Sequence, residues 1–142
     1  MNDSAAATRS EGAAAPLAGL AAHAHWCLRV ALASVFLFHG IGKLVDVAGF
    51  AEMMGLPVLV AWLVTFAEVG GGIGIIVGAF GRDLLTRISA AVIVPVMLGA
   101  IFTVHWGQWS FAPSESHPMG GMEFQVVLML IALYFVAKGN DA

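Results

Sequence analysis

Apolar residues along this chain occur in four long runs separated by short segments rich in glycine, proline or charge. The runs cover about residues 26–45, 57–80, 84–106 and 120–138. A helix that crosses a bilayer needs about 20 mostly apolar residues. The first run reaches this length only if His39 and Lys43 lie in the membrane, and the fourth only if Glu123 does. The pattern predicts an all-α, integral membrane four-helix antiparallel bundle that accepts polar side chains inside its spans.

The connection between the first two runs predicts a short extra helix. Asp46 is placed to cap its start, Gly55 to end it, and Pro57 to begin the second span. Phe50 and Met53 recur at helical spacing within it. We therefore expect this helix to lie in the membrane interface.

The beginning of the chain differs from the rest. Residues 1–24 are rich in Ala, Ser and Gly with scattered charges and lack the pattern of a secretory signal. We expect a mobile N-terminal tail at 1–24 and a single four-helix domain at 25–142.

Composition supports a membrane protein and excludes several functions. Hydrophobic residues make up 60% of the chain and charged residues 11%, against about 25% charged in soluble proteins. Membrane lipid is therefore the expected surrounding. A net charge of −3 lacks the basic footprint of a nucleic-acid-binding protein. The single cysteine, Cys27, cannot form an internal disulfide, a CxxC redox pair or a cysteine-based metal site.

The distribution of basic residues predicts an orientation. In a four-span protein Arg29, Arg82, Arg87 and Lys138 fall on one side of the membrane and Lys43 on the other. Positive residues are enriched on the cytoplasmic side. We therefore expect both termini in the cytoplasm.

Glu68 lies near the middle of the second span. A carboxylate at that depth costs about 2.5–3.5 kcal/mol even on the lenient insertion scale. It must be protonated, paired or wetted by a cavity. It could serve a function, or simply tie two helices together by a hydrogen bond.

His39 and Lys43 are the expected partners of Glu68. They are four residues apart and share one face of the first span, with His39 about 15 Å deep and level with Glu68. Lys43 can instead extend to the outer interface. His105 and Glu123 fall in the same half of the membrane, although Glu123 also suits a helix N-terminus. All four spans thus contribute a titratable group to the outer half.

Glycines of the second span recur every four residues at Gly70, Gly74 and Gly78. This spacing allows close helix packing, either within the chain or in a homo-oligomer. We expect no metal, because His39 and His105 lie at different depths and no pair of residues matches a di-iron bundle site.

The order of several short motifs resembles the DoxX family of small bacterial and archaeal membrane proteins, over about residues 26–140. The matching pieces are Arg29, Phe36-Leu-Phe-His-Gly40, Gly42-Lys43, Phe50 to Pro57, Ala67-Glu68 with Gly71 and Gly72, Glu123-Phe-Gln, and Lys138-Gly139. The resemblance implies a four-helix bundle in the cytoplasmic membrane. Some relatives are subunits of thiosulfate:quinone oxidoreductase or of membrane-associated redox complexes.

Three functions are compatible with these residues. The first is a subunit of a quinone-linked oxidoreductase, with Glu68, His39 and Lys43 as catalytic groups. A quinone would be bound with help from four further residues: His105, Glu123, Phe36 and Phe66. Electrons would come from a soluble redox partner, because the chain has no self-contained catalytic motif. The alternatives are a non-catalytic assembly or scaffold protein and a small proton-coupled transporter that uses Glu68.

Overall fold

The computed structural model describes residues 19–142, and the regular secondary structure in this part of the chain is entirely helical. The helices are α1 (His25–Val45), α2 (Val47–Met54), α3 (Val58–Gly78), α4 (Asp83–Ala100) and α5 (Glu123–Lys138). A π-helical turn, Ile101–His105, follows α4 directly. The predicted all-α bundle with a short helix after the first span is confirmed. Residues 1–18 of the predicted tail lie outside the described residues.

Three of the four predicted spans have the length and apolar composition to cross a membrane: Gly19–Val45, Val58–Gly78 and Asp83–His105. The fourth helix, α5, has only 16 residues and begins three residues later than predicted. The helix starts later than predicted because the backbone amides just before it form hydrogen bonds with the preceding loop. The amides of Gly121, Met122 and Glu123 donate to carbonyls of the loop between the π turn and α5.

The predicted signals at both ends of α2 are confirmed. The Asp46 carboxylate accepts a hydrogen bond from the Gly49 amide at 2.8 Å, as an N-cap residue does. Gly55 ends α2 with φ +63°, a left-handed conformation that glycine adopts without a Cβ penalty. Pro57 then immediately precedes α3.

The long helices pack in chain order: α1 lies on α3, α3 on α4, and α4 on α5, with α2 on α3. Contact between α1 and α5 is much sparser, so the bundle is only loosely closed along this seam. The central core contains Leu32, Phe36, Ile75, Ile93, Leu128 and Phe135.

The glycines of α3 serve contacts within the chain. A Cβ at Gly71 would lie 2.9 Å from Ile93, and Cβ atoms at Gly74 and Gly78 would collide with Ser89 and Thr86 of α4. Gly70 has nothing within 4 Å of its Cβ position and is exposed. Because α4 covers Gly74 and Gly78, Gly70 is the one member of the predicted glycine face that stays available for contact with a second copy of the chain. The homo-oligomer itself stays a prediction.

One end of the bundle is tied by Arg29, which is only 1% exposed. Its guanidinium donates to the Ile75 carbonyl at 2.7 Å, to Asn140 Oδ1 at 2.8 Å and to Thr86 Oγ1 at 3.2 Å. The last carbonyls of a helix lack a hydrogen-bond donor within the helix. Arg29 supplies a donor for one of these carbonyls in α3. We call this region, where α3 and α5 end, the arginine end, and the opposite region the cavity end.

A second arginine strengthens the same end. Arg87 donates to the carbonyls of Val136, Ala137 and Lys138 at 2.7–3.1 Å, so it caps the C-terminus of α5. It also bonds the Asp83 carboxylate at 2.7 Å. Arg29 and Arg87 together join α1, α3, α4 and α5.

Candidate functional site

Lys43 of α1 and Glu68 of α3 form an ion pair at the cavity end, with 2.6 Å between Lys43 Nζ and Glu68 Oε2. The side chains are 18% and 6% exposed. The predicted partnership between these residues is therefore observed, and Lys43 reaches inward rather than extending to the membrane surface. Lys43 Nζ also lies 5.1 Å from the centre of the Phe50 ring of α2. This adds a cation–π contact that the sequence analysis did not foresee.

Close helix packing positions this ion pair. Gly40 of α1 has no side chain, and a Cβ there would lie 2.8 Å from Val69 and 3.0 Å from the Glu68 Cβ. The missing side chain lets α1 approach α3 at this level. Lys43 lies one turn further along α1 and can reach the carboxylate.

Beside the ion pair lies a cavity of about 1140 Å³, bounded by α1, α2, α3, α4 with its π turn, and α5. Most of its wall is apolar and includes Phe36 and Phe50. The polar side chains on its wall are those of His39, Lys43, Asp46, Glu68, Thr103, His105 and Gln125. The cavity thus has an apolar body with a few convergent polar groups, the usual composition of a small-molecule site.

His39 lies on the wall one residue before Gly40, and its ring meets the edge of Phe38 at 5.4 Å between centroids. The side chain is exposed in the structure. His39 therefore shares the cavity with Lys43 and Glu68 but forms no hydrogen bond with Glu68, so of the two expected partners only Lys43 pairs with the carboxylate.

The π turn places His105 at the cavity. Buried positions along α4 and the turn recur every four residues at Ile93, Met97, Ile101 and His105. An α-helix has 3.6 residues per turn, so a four-residue stripe drifts around it. The wider π turn offsets this drift and keeps His105 on the buried face. Such turns are frequent at functional sites.

His105 is held on both sides of its ring. Nδ1 lies 2.8 Å from the Gly120 carbonyl, and Nε2 lies 2.9 Å from the Gln125 side-chain nitrogen. Because a carbonyl only accepts, Nδ1 carries the proton, and in the neutral ring Nε2 then accepts from the Gln125 amide. His105 joins the π turn to the start of α5 through these two bonds.

Two predicted quinone-contacting residues lie away from the cavity wall. Phe66 is on the outer face of α3, 59% exposed and stacked on Trp62 at 5.1 Å. The Glu123 carboxylate accepts a hydrogen bond from the Phe111 amide at 3.2 Å and lies in the first turn of α5. The structure therefore places His105 and Phe36 on the cavity wall but leaves Phe66 and Glu123 outside it. The reason is rotation about each helix axis, which depth along the chain does not specify.

The sequence analysis missed Gln125. Its signal was present, because residues 125, 128, 132 and 135 recur at helical spacing and the last three are buried. A polar residue on a buried helical stripe is a candidate for function.

Among residues 19–142, no cluster of three or more His, Cys, Asp or Glu side chains is arranged to hold a metal ion.

Comparisons with known proteins extend these observations. A family model described as DoxX matches residues 24–106. No curated protein and no solved structure matches the chain significantly.

Proposed function

The chain belongs to the DoxX family, and from this premise and the geometry of its cavity we propose that it is a membrane subunit of a quinone-linked oxidoreductase. The proposal rests on one observation above all. A large, mostly apolar cavity in a multi-pass membrane protein contains a lysine–glutamate pair on its wall. Such a cavity suits a flat, lipid-soluble molecule with a polar head.

The residues present fit a quinone head group. A quinone supplies carbonyl oxygens that take up two protons with two electrons when it is reduced. The Lys43 ammonium is a hydrogen-bond donor for such an oxygen, and Phe36 and Phe50 offer apolar ring surface. The Glu68 carboxylate lies 2.6 Å from Lys43, so an ionisable group stands directly beside the proposed hydrogen-bond donor.

Access from the bilayer is the second support. The cavity wall includes residues of both α1 and α5, the two helices that contact each other least among the neighbouring long helices. Phe38 and Phe124 lie on this wall and are exposed. A hydrophobic tail would lie between α1 and α5 while the head group reaches Lys43. Electrons would come from a soluble redox partner.

The proposal is tested by direct binding. The protein is reconstituted in lipid nanodiscs, and retention of decylubiquinone is measured by equilibrium dialysis against empty nanodiscs. We expect Lys43→Met and Glu68→Gln each to weaken binding at least about tenfold, a loss equivalent to about 1.4 kcal/mol. Lys138→Met and Glu52→Gln are matched controls, because both residues are exposed and neither lines the cavity. No retention by the wild type, or equal retention by all variants, contradicts the proposal.

A scaffold role is the second candidate, because the Lys43–Glu68 pair also ties α1 to α3. In that case both substitutions lower thermal stability while decylubiquinone is not retained by any form of the protein. The binding and unfolding measurements together separate the two functions.

We also propose that the arginine end faces the cytoplasm of a bacterial or archaeal cell, with both termini on that side. Support comes from Arg29, Arg82, Arg87 and Lys138, which all lie at that end, whereas Lys43 lies at the other. In a Cys27→Ser background, Asp141→Cys should be protected from a membrane-impermeant maleimide in intact cells and labelled after lysis. Labelling in intact cells would contradict the orientation.

A further inference from the structure

One face of α1 changes in character from one end of the bundle to the other. Side chains three or four residues apart lie on the same face of a helix. On α1 this face carries Arg29, Leu32, Phe36, His39 and Lys43, and Asp46 follows directly after the helix. The last three can bind or release protons and line the cavity, whereas the first three are buried. The face therefore divides into a protonatable half and a closed half.

The protonatable half leads from the ion pair to the cavity end of the bundle. Lys43 bonds Glu68 at 2.6 Å, and both His39 and Asp46 are exposed side chains on the same cavity wall. Among the described residues, His105 is the further titratable side chain on this wall, and the lining residues of α2 and α5 are not titratable. A cavity of about 1140 Å³ with several polar groups is roomy and polar enough to hold water. Water and side chains can thus carry protons between the ion pair and the solution at the cavity end.

The closed half lacks room for such a path. Phe36 is the cavity-lining residue of this face nearest to the arginine end, and Leu32 lies beyond it in the core with Ile93 and Leu128. Close-packed apolar interiors have few voids that can hold a water molecule. Arg29 lies about 10 Å further along α1 than Phe36, and its guanidinium stays protonated. A fixed positive charge at that point adds an electrostatic barrier to protons.

We propose that the Lys43–Glu68 site exchanges protons with the solution at the cavity end alone. This inference rests on the proposed function of the cavity. Reduction of a quinone to a hydroquinone takes two electrons from the soluble redox partner and adds one proton to each of two carbonyl oxygens. Both protons then come from the solution at the cavity end, and oxidation of a hydroquinone returns two protons to that side and two electrons to the partner. In the proposed orientation, that solution is outside the cell.

A thiol placed in the cavity reports which solution supplies its protons. Gly42→Cys in a Cys27→Ser background is the probe, because Gly42 lines the cavity and its Cβ position is open. Only the thiolate reacts with the membrane-impermeant reagent sulfonatoethyl methanethiosulfonate, so the labelling rate follows the ionisation of the thiol. The reagent is added outside sealed proteoliposomes, and the internal and external pH are set independently. Proteins whose cavity end faces outward are the ones that react.

The labelling rate should respond to one side of the membrane. We expect it to rise about tenfold when the external pH is raised from about 6 to about 7, since the thiol pKa is about 8.5. The same change of internal pH should leave the rate unchanged. Phe66→Cys is the matched control, because Phe66 is exposed on the outer face of α3 and does not line the cavity. Lipid should cover this thiol, which should stay unlabelled at either pH.

The same vesicles test for a path through the bundle. A pH gradient imposed across proteoliposomes of the Cys27→Ser protein should last as long as one across protein-free liposomes. A faster decay, or a Gly42→Cys labelling rate that follows the internal pH, shows proton exchange with the arginine end and overturns the inference.

Two further outcomes separate the inference from the proposed function. Absence of labelling in folded Gly42→Cys overturns the inference, because the cavity is then closed to the external solution, while retention of decylubiquinone still supports a quinone site. The expected labelling without retention of decylubiquinone supports one-sided proton exchange but contradicts the proposed function. If Gly42→Cys does not fold, Thr103→Cys on the same wall takes its place as the probe.

Discussion

The two ends of the bundle use buried polar groups in opposite ways. At the arginine end, Arg29 and Arg87 bond the last carbonyls of α3 and α5 and connect four helices. At the cavity end, Lys43 and Glu68 form one ion pair between two helices, beside a cavity of about 1140 Å³. At the arginine end the polar groups hydrogen-bond several helices together. At the cavity end the charged pair borders an empty cavity.

Under the function proposed above, this difference combines rigidity at one end with a binding site at the other. Local stability varies across a structure, and ligand-binding regions come from its less stable part. Firm closure at one end holds the helices in register while the other end stays open enough to admit a ligand. Substitutions at the two ends should therefore produce different phenotypes.

The largest effect on stability is expected for Arg29→Met. The free energy of unfolding should fall by about 3 kcal/mol or more, because each buried acceptor left unsatisfied costs about 1–3 kcal/mol. Arg82→Met is the control at the same end, since Arg82 is exposed, and it should change stability by less than about 0.5 kcal/mol. Denaturant unfolding in detergent micelles measures both. Equal stability of the two variants would refute the tying role of Arg29.

Gly78→Ala is expected to have the next largest effect. Its new Cβ would lie 2.7 Å from the backbone nitrogen of Thr86, so α3 and α4 must separate, at a cost of about 1–3 kcal/mol. Gly70→Ala should be neutral or stabilise the helix by up to about 1 kcal/mol, because its Cβ position is open. Thermal unfolding checks both variants. A large loss in Gly70→Ala, accompanied by loss of an oligomer on size-exclusion chromatography, would instead assign Gly70 to a contact between copies.

A smaller loss of stability is expected at the cavity end. Removal of one partner of a fully buried ion pair costs about 3–5 kcal/mol, but Lys43 is partly exposed to the cavity. Glu68→Gln and Lys43→Met should therefore each cost about 1–2 kcal/mol, since exposure reduces the contribution of an ion pair. The double variant should be less destabilised than the sum of the single variants. Strict additivity in this double-mutant cycle would show that the pair contributes no coupling.

The smallest effect is expected for Asp46→Ala. Loss of an N-cap costs about 1 kcal/mol, and here it would loosen α2, one wall of the cavity, rather than the bundle. Glu52→Ala is the control on α2, because Glu52 is exposed and lies outside the cap. Hydrogen exchange of the α2 amides should accelerate in Asp46→Ala alone. Unchanged exchange would mean that packing on α3 holds α2 without its cap.

Much of the fold and part of the site could be predicted from the sequence. Hydrophobic runs gave the long helices because each must satisfy its backbone within the membrane. Local signals at Asp46, Gly55 and Pro57 defined α2. The approach of Lys43 to Glu68 was one of two options left open for Lys43, favoured by its place on the same helix face as His39 and by the high cost of an unpaired charge in a bilayer.

The features that the sequence did not reveal depend on how each helix is rotated about its axis and on which distant segments meet in space. The role of Arg29 as a tie between helices could not be predicted, because nothing local shows that the end of α3 and the segment after α5 meet around it. Phe66 and Glu123 lie on faces of their helices that do not line the cavity. The bond between His105 and Gln125 depends on the π turn and on the left-handed backbone of Gly120, which involve residues 15–20 positions apart.

The short final helix has a consequence for the surrounding lipid. α5 has 16 residues, which gives it a length of about 24 Å, whereas the hydrocarbon layer is about 30 Å thick. The loop before it folds back on itself through backbone hydrogen bonds and exposes Trp106, Trp109 and Phe111, rings that favour the headgroup region. If α5 spans the bilayer, we expect lipid beside it to thin by several ångströms relative to lipid beside the longer α3. The protein should deform the bilayer asymmetrically and accumulate in its thinner regions.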